Sequence, residues 1–470
     1  MRPPTVSFVS LGCPKNLVDS EKMLGLLAEA GCTIVGDGAA SDVVVINTCG
    51  FLAASRDEAL SFIREAAAQK RNGALKRIVV AGCLAQRDGQ SLIEEVPEID
   101  ALIGVNDRAA IVNAVVNGRK RRRATESGER TLAIGTYLPK SWSDRSRLRL
   151  TQRHYAYLRM SEGCNQRCTF CTIPSIRGPM YCKSVAEIVA EARELIADGA
   201  VEINLIGQDT TSYQSEFPSR GVPRVPGLRP GDSINLAGLL RVLDRIEGAR
   251  WLRLMYAYPS DFTDEMIDAI AECAHVVKYI DIPLQHINDR ILKAMYRRVT
   301  RAQTESLLRR LRNRIPGVTI RTTFIAGFPG ESPAEFEELR RFIADFEFDA
   351  VGVFPYSLEP GTPAGRMKSQ LPDEIKQERV AVLMATQQDV AFRRASEMRG
   401  KVFDVLIDGF GREGMYPARH AGQAPEIDSV TYVVGGEFDP GEMVRVRCTS
   451  HEEYDLIAAP VTVGLPVLRT

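Results

Sequence analysis

Net charge is missing from this sequence: 60 Lys+Arg stand against 60 Asp+Glu. No global field therefore draws the chain to nucleic acid or to an anionic membrane, and any contact with RNA has to be local. Long hydrophobic runs are missing too. None approaches the ~20 residues of a membrane span, which excludes a transmembrane helix. The opening Met1-Arg-Pro-Pro-Thr5 lacks the charged, apolar and small-residue order of a signal peptide and leads straight into a strand-like run. The ten cysteines are then expected in a reducing cytoplasm, where metal ligation is a better reading than disulfides. With 470 residues the chain is long enough for several domains and a sizeable core.

What is present is organised around the stretch from Arg159 to Pro174. Cys164, Cys168 and Cys171 are separated by three and then two residues, so three thiolates can converge from one tight loop. Three soft ligands together select zinc or an iron–sulfur cluster. Zinc needs a fourth ligand, and the nearest histidine, His154, lies on the far side of a strand-like run. A four-iron cubane held by three cysteines instead keeps one iron open for substrate.

Upstream, Val6–Leu11 reads as a strand, and Gly12-Cys13-Pro14 turns it into an amphipathic helix ending near Gly31. Asp42–Asn47 is a continuously apolar run of the kind buried on both faces of a parallel sheet. Thr48-Cys49-Gly50 and a helix from Ala54 to Lys70 follow, and Arg77–Ala81 repeats the scheme into Gly82-Cys83. Strands alternating with helices at this spacing predict an open, doubly wound α/β sheet over residues 3–118. Each strand is followed within one to three residues by a cysteine. Open α/β sheets bind ligands outside the carboxyl ends of their strands, so Cys13, Cys49 and Cys83 are expected to meet on one edge as a second three-cysteine cluster site.

Residues 119–149 read as a solvated, basic interdomain linker. From Arg119 to Arg153 there are eleven Lys/Arg and three Asp/Glu, which supports at most a weak contact with RNA phosphate. Residues 150–385 then offer six strand-like runs: His154–Met160, Val201–Ile206, Trp251–Tyr256, Val276–Asp281, Val318–Ile325 and Phe348–Phe354. Capping boxes open two of the intervening helices, at Ser184-Val-Ala-Glu187 and Ser332-Pro-Ala-Glu335. Six βα units predict a partial TIM-type (β/α)6 barrel whose chemistry collects at the carboxyl ends of its strands, and Cys164 lies just past the first of them. The aperiodic stretch 216–232 reads as a surface loop. After a helix over Pro372–Met398, residues 399–468 carry short alternating strands such as Val402–Ile407 and Met443–Arg447, which predict a small OB-like all-β barrel. From Lys401 onward six Lys/Arg face eleven Asp/Glu, a net charge of −5. Such a barrel repels phosphate and suits a basic protein partner.

The C-x3-C-x2-C loop, with Phe170 before its last cysteine, resembles the signature of radical S-adenosylmethionine (SAM) enzymes. That resemblance implies an open iron that chelates SAM and a cluster electron that cleaves it to a 5′-deoxyadenosyl radical. It also implies cofactor contacts at Phe170, at Gly207, Gln208 and Asp209 after the second barrel strand, and at Gly327, Gly330 and Glu331 after the fifth. An α/β domain with three cysteines, a radical SAM barrel and a terminal barrel similar to a TRAM domain together resemble the methylthiotransferases, along essentially the whole chain. That family inserts sulfur and a methyl group into a C–H bond with no proton that a side-chain base could take. The resemblance implies two [4Fe-4S] clusters, each held by three cysteines (Cys13, Cys49 and Cys83; Cys164, Cys168 and Cys171). It further implies one SAM as methyl donor and a second as radical source.

Ser10-Leu-Gly-Cys-Pro-Lys-Asn16, Ser161-Glu-Gly-Cys-Asn165 and Gln208-Asp-Thr210 look like the branch that modifies the β-carbon of an aspartate in the twelfth small-subunit ribosomal protein. Pro179-Met-Tyr-Cys-Lys-Ser184 departs from the family pattern, which commonly carries arginine and no cysteine there. The implied partners are that ribosomal protein or the assembled small subunit, and a low-potential electron donor of the flavodoxin or ferredoxin type. RNA contact is expected to be weak, and no membrane is involved. Two other readings stay open. One is a tRNA adenosine methylthiotransferase (isopentenyl- or threonylcarbamoyl-adenosine), sharing all six cluster cysteines; the other is a non-catalytic zinc or iron–sulfur RNA-binding protein. Cys32, Cys182, Cys273 and Cys448 are expected to be packing residues.

Overall fold

The computed structural model describes residues 4–36, 39–117, 130–135 and 142–461. Its first unit is a six-stranded, all-parallel sheet of β1 (Thr5–Ser10), β2 (Thr33–Val35), β3 (Val43–Thr48), β4 (Arg77–Gly82), β5 (Ala101–Ile103) and β6 (Thr131–Ala133), in the order β2-β1-β3-β4-β5-β6. The central runs are apolar throughout because both faces are covered. Val44, Ile46, Ile78 and Val80 join a core with α2 (Ala53–Arg71), whereas Val43, Val45 and Val79 join one with Met23 and Leu27 of α1 (Pro14–Glu29). Strand order reverses between β1 and β3, which is the crevice where a doubly wound sheet accepts ligands.

The segment read as a solvated linker is not one throughout. β6 lies inside it and pairs with β5. Trp142 and Asp144 are buried, because Asp144 is the counter-charge of Arg159, Lys183 and Arg108. The basic run Arg119–Arg123 lies outside the described residues.

The second unit begins with β7 (Tyr155–Arg159), whose end feeds the ribbon β8 (Ser161–Glu162) and β9 (Tyr181–Cys182). β10 (Glu202–Ile206) follows, then the ribbon β11 (Gln214–Glu216) and β12 (Ser233–Asn235) that clips the loop between them, then β13 (Trp251–Leu254), β14 (Val276–Asp281), β15 (Thr319–Ala326) and β16 (Ala350–Pro355). The six long strands pair in parallel in chain order, forming the open barrel. Strand alternation sends Ala156 and Leu158 outward into the core shared with the helices, while Tyr155 and Tyr157 join a second cluster on the other face. The Ser332–Glu335 capping box forms both of its hydrogen bonds, and Thr300 with Gln303 forms another. At Ser184 only half the predicted box exists: Ser184 Oγ accepts from the Glu187 N–H at 3.3 Å, while Glu187 Oε1 has no partner.

The helix Asp373–Glu397 leads to the third unit, a closed barrel of β17 (Val402–Ile407), β18 (Met415–His420), β19 (Thr431–Val434), β20 (Met443–Glu452) and β21 (Asp455–Pro460). Its β18–β19 loop enters the amino end of the middle barrel. There Glu426 accepts from the hydroxyls of Tyr155 (2.9 Å) and Tyr157 (3.3 Å), and Asp428 accepts from Tyr279 at 2.7 Å and pairs with Arg321 at 3.3 Å. This corrects the charge argument above in part: Asp428, counted as facing a partner, is paired with a cation of the middle barrel, whereas Glu426 keeps its charge at the surface. Among the described residues no helix is long and apolar enough to cross a membrane.

Candidate metal centres and active site

Register levels the ends of the strands that carry the first three cysteines: Ser10 pairs with Asn47, and Thr48 with Gly82. Cys13 caps α1, Cys49 directly follows β3, and Cys83 opens the short helix α3 (Cys83–Asp88). Glycine lets these turns close on one another. A Cβ on Gly12, whose φ is +95°, would lie 2.8 Å from Cys49 Cβ, and one on Gly50 would lie 2.8 Å from Leu84 N and 2.9 Å from Cys83 C. No side chain fits at such separations, so the three cysteines gather at the β1/β3 switch point. Burial pushes the Cys83 thiol up to about 12 and raises Cys49, and each thiolate would further disfavour its neighbours. A bound metal reverses that balance, since its charge stabilises the thiolates.

The second trio comes from one loop held at both ends. The amides of Gln166 and Ile173 donate to Cys164 Sγ and Cys171 Sγ, each at 3.4 Å. Gln166 Nε2, from between the first two cysteines, donates to Asp209 Oδ2 at 2.9 Å and Asp261 Oδ2 at 3.0 Å. Arg297 Nη1 lies 3.8 Å from Cys168 Sγ, and its guanidinium lies over the Tyr258 ring at 4.0 Å. Among the described residues no three His, Cys, Asp or Glu stand close enough to hold a single metal ion.

The other expected cofactor contacts gather around this loop in different ways. Phe170 packs in one cluster with Phe328, Ile291 and Tyr356, which joins the cysteine loop to the turn beginning at Gly327. Gly207 lies against Ser161, whose Oγ would sit 2.6 Å from an added Cβ. Gln208 Nε2 donates to Glu162 Oε1 at 2.7 Å, leaving its own Oε1 without a partner. Asp209 is engaged by Gln166, Thr211 and Ser212. Glu331 accepts from the amides of Gly327 (2.7 Å) and Phe328 (3.1 Å) and pairs with Arg379 at 2.8 Å. The Gly330 amide donates to Ser369 O at 2.7 Å. Asp209 and Glu331 thus fix the shape of their loops.

The polar face of α1 docks the first unit on the carboxyl ends of the barrel strands. Asp19 pairs with Arg159 at 2.8 Å and with Arg177 at 3.1 Å, and Glu21 with Arg147 at 3.2 Å. Arg177 crosses the interface. One nitrogen donates to Cys83 Sγ at 3.3 Å and to Asn16 Oδ1 at 2.5 Å, and the other to Glu162 Oε2 at 2.8 Å, two residues before Cys164. Burial opposes its charge, but Cys83, Glu162 and Asp19 hold the guanidinium protonated. Lys15 is buried in the same interface, its Nζ 3.0 Å from the centre of the Tyr256 ring. Burial lowers the Lys15 ammonium to about 8.

Arg177, Arg297 and Tyr256 carried no signal in the sequence, because nothing in their spacing ties them to a cysteine; Gln166 lay inside the cysteine loop, where its side chain had no assigned role. Lys15 and Asn16 stood inside a quoted motif without an assigned role. A cavity of about 830 Å³ lies at the opposite ends of the strands, between the two barrels; Trp251, Lys278 and His420 are among its lining residues, and no cysteine is.

Residues 5–104 match the uncharacterized protein family UPF0004, residues 158–343 the radical SAM superfamily and residues 400–461 the TRAM domain. The ribosomal protein uS12 methylthiotransferase RimO of Bdellovibrio bacteriovorus is 41% identical over 457 residues, 96% of either chain. That of Geobacter sulfurreducens is 40% identical over 456 residues, 96% of this chain and 97% of its own. Among solved structures, the radical SAM methyltransferase TsrM of Kitasatospora setae aligns over 77% of this chain and 75% of its own with a TM-score of 0.54 and 17% identity, a likeness of fold. Identity of 41% over an alignment that covers 96% of the chain, and so reaches all three units, makes this chain a member of the ribosomal protein uS12 methylthiotransferase RimO family.

Proposed function

We propose that this chain is a radical SAM methylthiotransferase that adds a methylthio group to the β-carbon of an aspartate in ribosomal protein uS12. The observation that carries the reading is the meeting of two cysteine trios across one domain interface, with Arg177 hydrogen-bonded to Cys83 on one side and Glu162 on the other. Sulfur insertion into an unactivated C–H bond needs a sulfur source and a radical source within reach of the same carbon. A single metal-binding domain meets only half of that requirement.

The residues fit the family's cofactors. Cys13, Cys49 and Cys83 would hold one [4Fe-4S] cluster, and Cys164, Cys168 and Cys171 the other; all six are soft donors without disulfide partners. Ser161 Oγ, Gln208 Oε1 and Arg297 Nε are buried without hydrogen-bond partners around the second loop, as expected of a pocket completed by a polar ligand. When bound, the two clusters and SAM supply the family's methylthio group and its hydrogen-abstracting radical. This chain's residues do the rest. Arg297 would take the methionyl carboxylate of SAM, Gln166 keeps the cysteine loop seated, and the Phe170–Phe328 cluster walls the site against water. Arg177 fixes the two trios in one geometry and donates to a cluster-binding sulfur, a contact that tunes such centres.

We assign residues 3–118 to sulfur delivery, 150–385 to radical generation and 399–468 to docking on the ribosomal substrate, in the cytoplasm. The TRAM match supports RNA contact on the ribosome by the faces not engaged with the middle barrel. The electron comes from a flavodoxin or ferredoxin. Mass spectrometry of cells with and without the gene tests the reading. Loss of a methylthio mass from an aspartate-containing uS12 peptide, with tRNA nucleosides unchanged, is expected; loss of a methylthio-adenosine with intact uS12 would overturn it in favour of tRNA.

A further inference from the structure

We infer that Lys15 receives the side-chain carboxylate of the substrate aspartate, an inference that rests on the function proposed above. Buried cations elsewhere in this chain are matched: Arg159 pairs with Asp19, Asp144 and Glu162, Lys183 with Asp144 and Glu191, and Arg253 with Glu202. Among the described residues only two buried lysines or arginines face no carboxylate within ion-pair distance, Lys15 and Arg297. Taking a charge out of water without an ion-pair partner is unfavourable, so a fold that matches its other buried ions leaves one open where a ligand completes it. The proposed reaction brings two carboxylates, one on SAM and one on the aspartate. Arg297 sits at Cys168, in the loop that binds SAM in this reading.

Lys15 sits at the other trio, two residues past Cys13. Its first electrostatic partner is the Cys13 thiol, which the cluster takes in this reading; the carboxylates that follow, Asp281 and Glu162, are already engaged by Arg321 and by Arg177 and Arg159. The tyrosine ring beneath its ammonium is held by a strained backbone: Tyr256 adopts the left-handed region, φ 60°, which a non-glycine residue rarely takes. The Tyr256 amide donates to Asp281 at 3.0 Å and keeps it there. An aromatic face stabilises an ammonium without neutralising it, so the positive charge remains available. The β-carbon of an aspartate offers no handle of its own, whereas its carboxylate oxygens are two bonds away. Fixing them at Lys15 fixes the C–H that is to be attacked, beside the cluster proposed to deliver sulfur.

The test is a two-by-two binding measurement on anaerobically reconstituted full-length enzyme. Wild type and Lys15→Met are each titrated with uS12 carrying the modified aspartate or asparagine in its place, free and within small ribosomal subunits. Wild type should prefer the aspartate form by roughly 10- to 100-fold, the effect of a charge-assisted hydrogen bond in a desolvated site. Lys15→Met should bind both forms equally, and Lys15→Arg, which keeps the charge, should retain most of the preference. An undiminished preference in Lys15→Met overturns the inference and leaves the proposed function standing. Equal binding of both forms by wild type overturns the inference with no need for a variant. Failure of wild type to bind either form in either setting overturns the proposed function and the inference with it.

Discussion

The two cysteine trios are brought together by opposite routes. Cys164, Cys168 and Cys171 lie within eight residues of one another on one loop, and short-range contacts order that loop: the amides of Gln166 and Ile173 lie against its sulfurs. Cys13, Cys49 and Cys83 span 71 residues. They meet only because β1, β3 and β4 pair in register and because Gly12 and Gly50 let adjacent turns touch. A local site tolerates loosening of the fold around it, since its ligands travel together. A site assembled from three strand ends exists only while the sheet does.

The sharpest way to break this comparison is to remove one ligand from each side. Cys164→Ala should abolish formation of 5′-deoxyadenosine from SAM, whereas Cys83→Ala should leave some SAM cleavage and eliminate the methylthio product, read together by liquid chromatography and mass spectrometry. Full product from Cys83→Ala would mean that the first trio is not the sulfur-delivering site.

Arg177 belongs to both sites and allows a finer cut. Arg177→Ala leaves Asp19 and Glu162 short of a buried partner and should cost about 3–5 kcal/mol in chemical denaturation. Arg177→Lys should recover part of that. In a redox titration followed by electron paramagnetic resonance, either variant should lower the potential of the N-terminal cluster alone, because the lost hydrogen bond had favoured the more negative, reduced state. Equal shifts at both clusters would show that Arg177 acts through the general packing of the interface.

The smallest expected effect touches no ligand and no charge. Gly50→Ala inserts a methyl group against the Cys83–Leu84 backbone, and overpacking of this kind costs about 1–3 kcal/mol. Reconstituted iron should fall from about eight toward about four per chain as the first cubane fails to load, with SAM cleavage retained at Cys164. Unchanged iron content would show that the strand ends have more slack than these separations imply.

The sequence by itself determined the elements and their kind. Runs such as Val43–Ile46 read as strands covered on both faces because they are, and the Ser332–Glu335 box marks a helix start because both of its hydrogen bonds are local. It also pointed to all six cysteines, three by spacing and three by their common place after a strand. Short-range pattern could not reach what depends on packing between units. β6 and Asp144 lay inside a stretch that reads as linker, yet one completes a sheet and the other neutralises three cations from different elements. The acidity of the last barrel was legible as a sum, but only the tertiary structure set Asp428 against Arg321 of the middle barrel and the Tyr155 and Tyr157 hydroxyls against Glu426. Arg177 and Arg297 carry no local signature, because an arginine's role is fixed by whatever unit docks against it. Lys15 could be quoted in a motif; that it lacks a carboxylate partner became visible only once every neighbouring acid had been assigned to another cation.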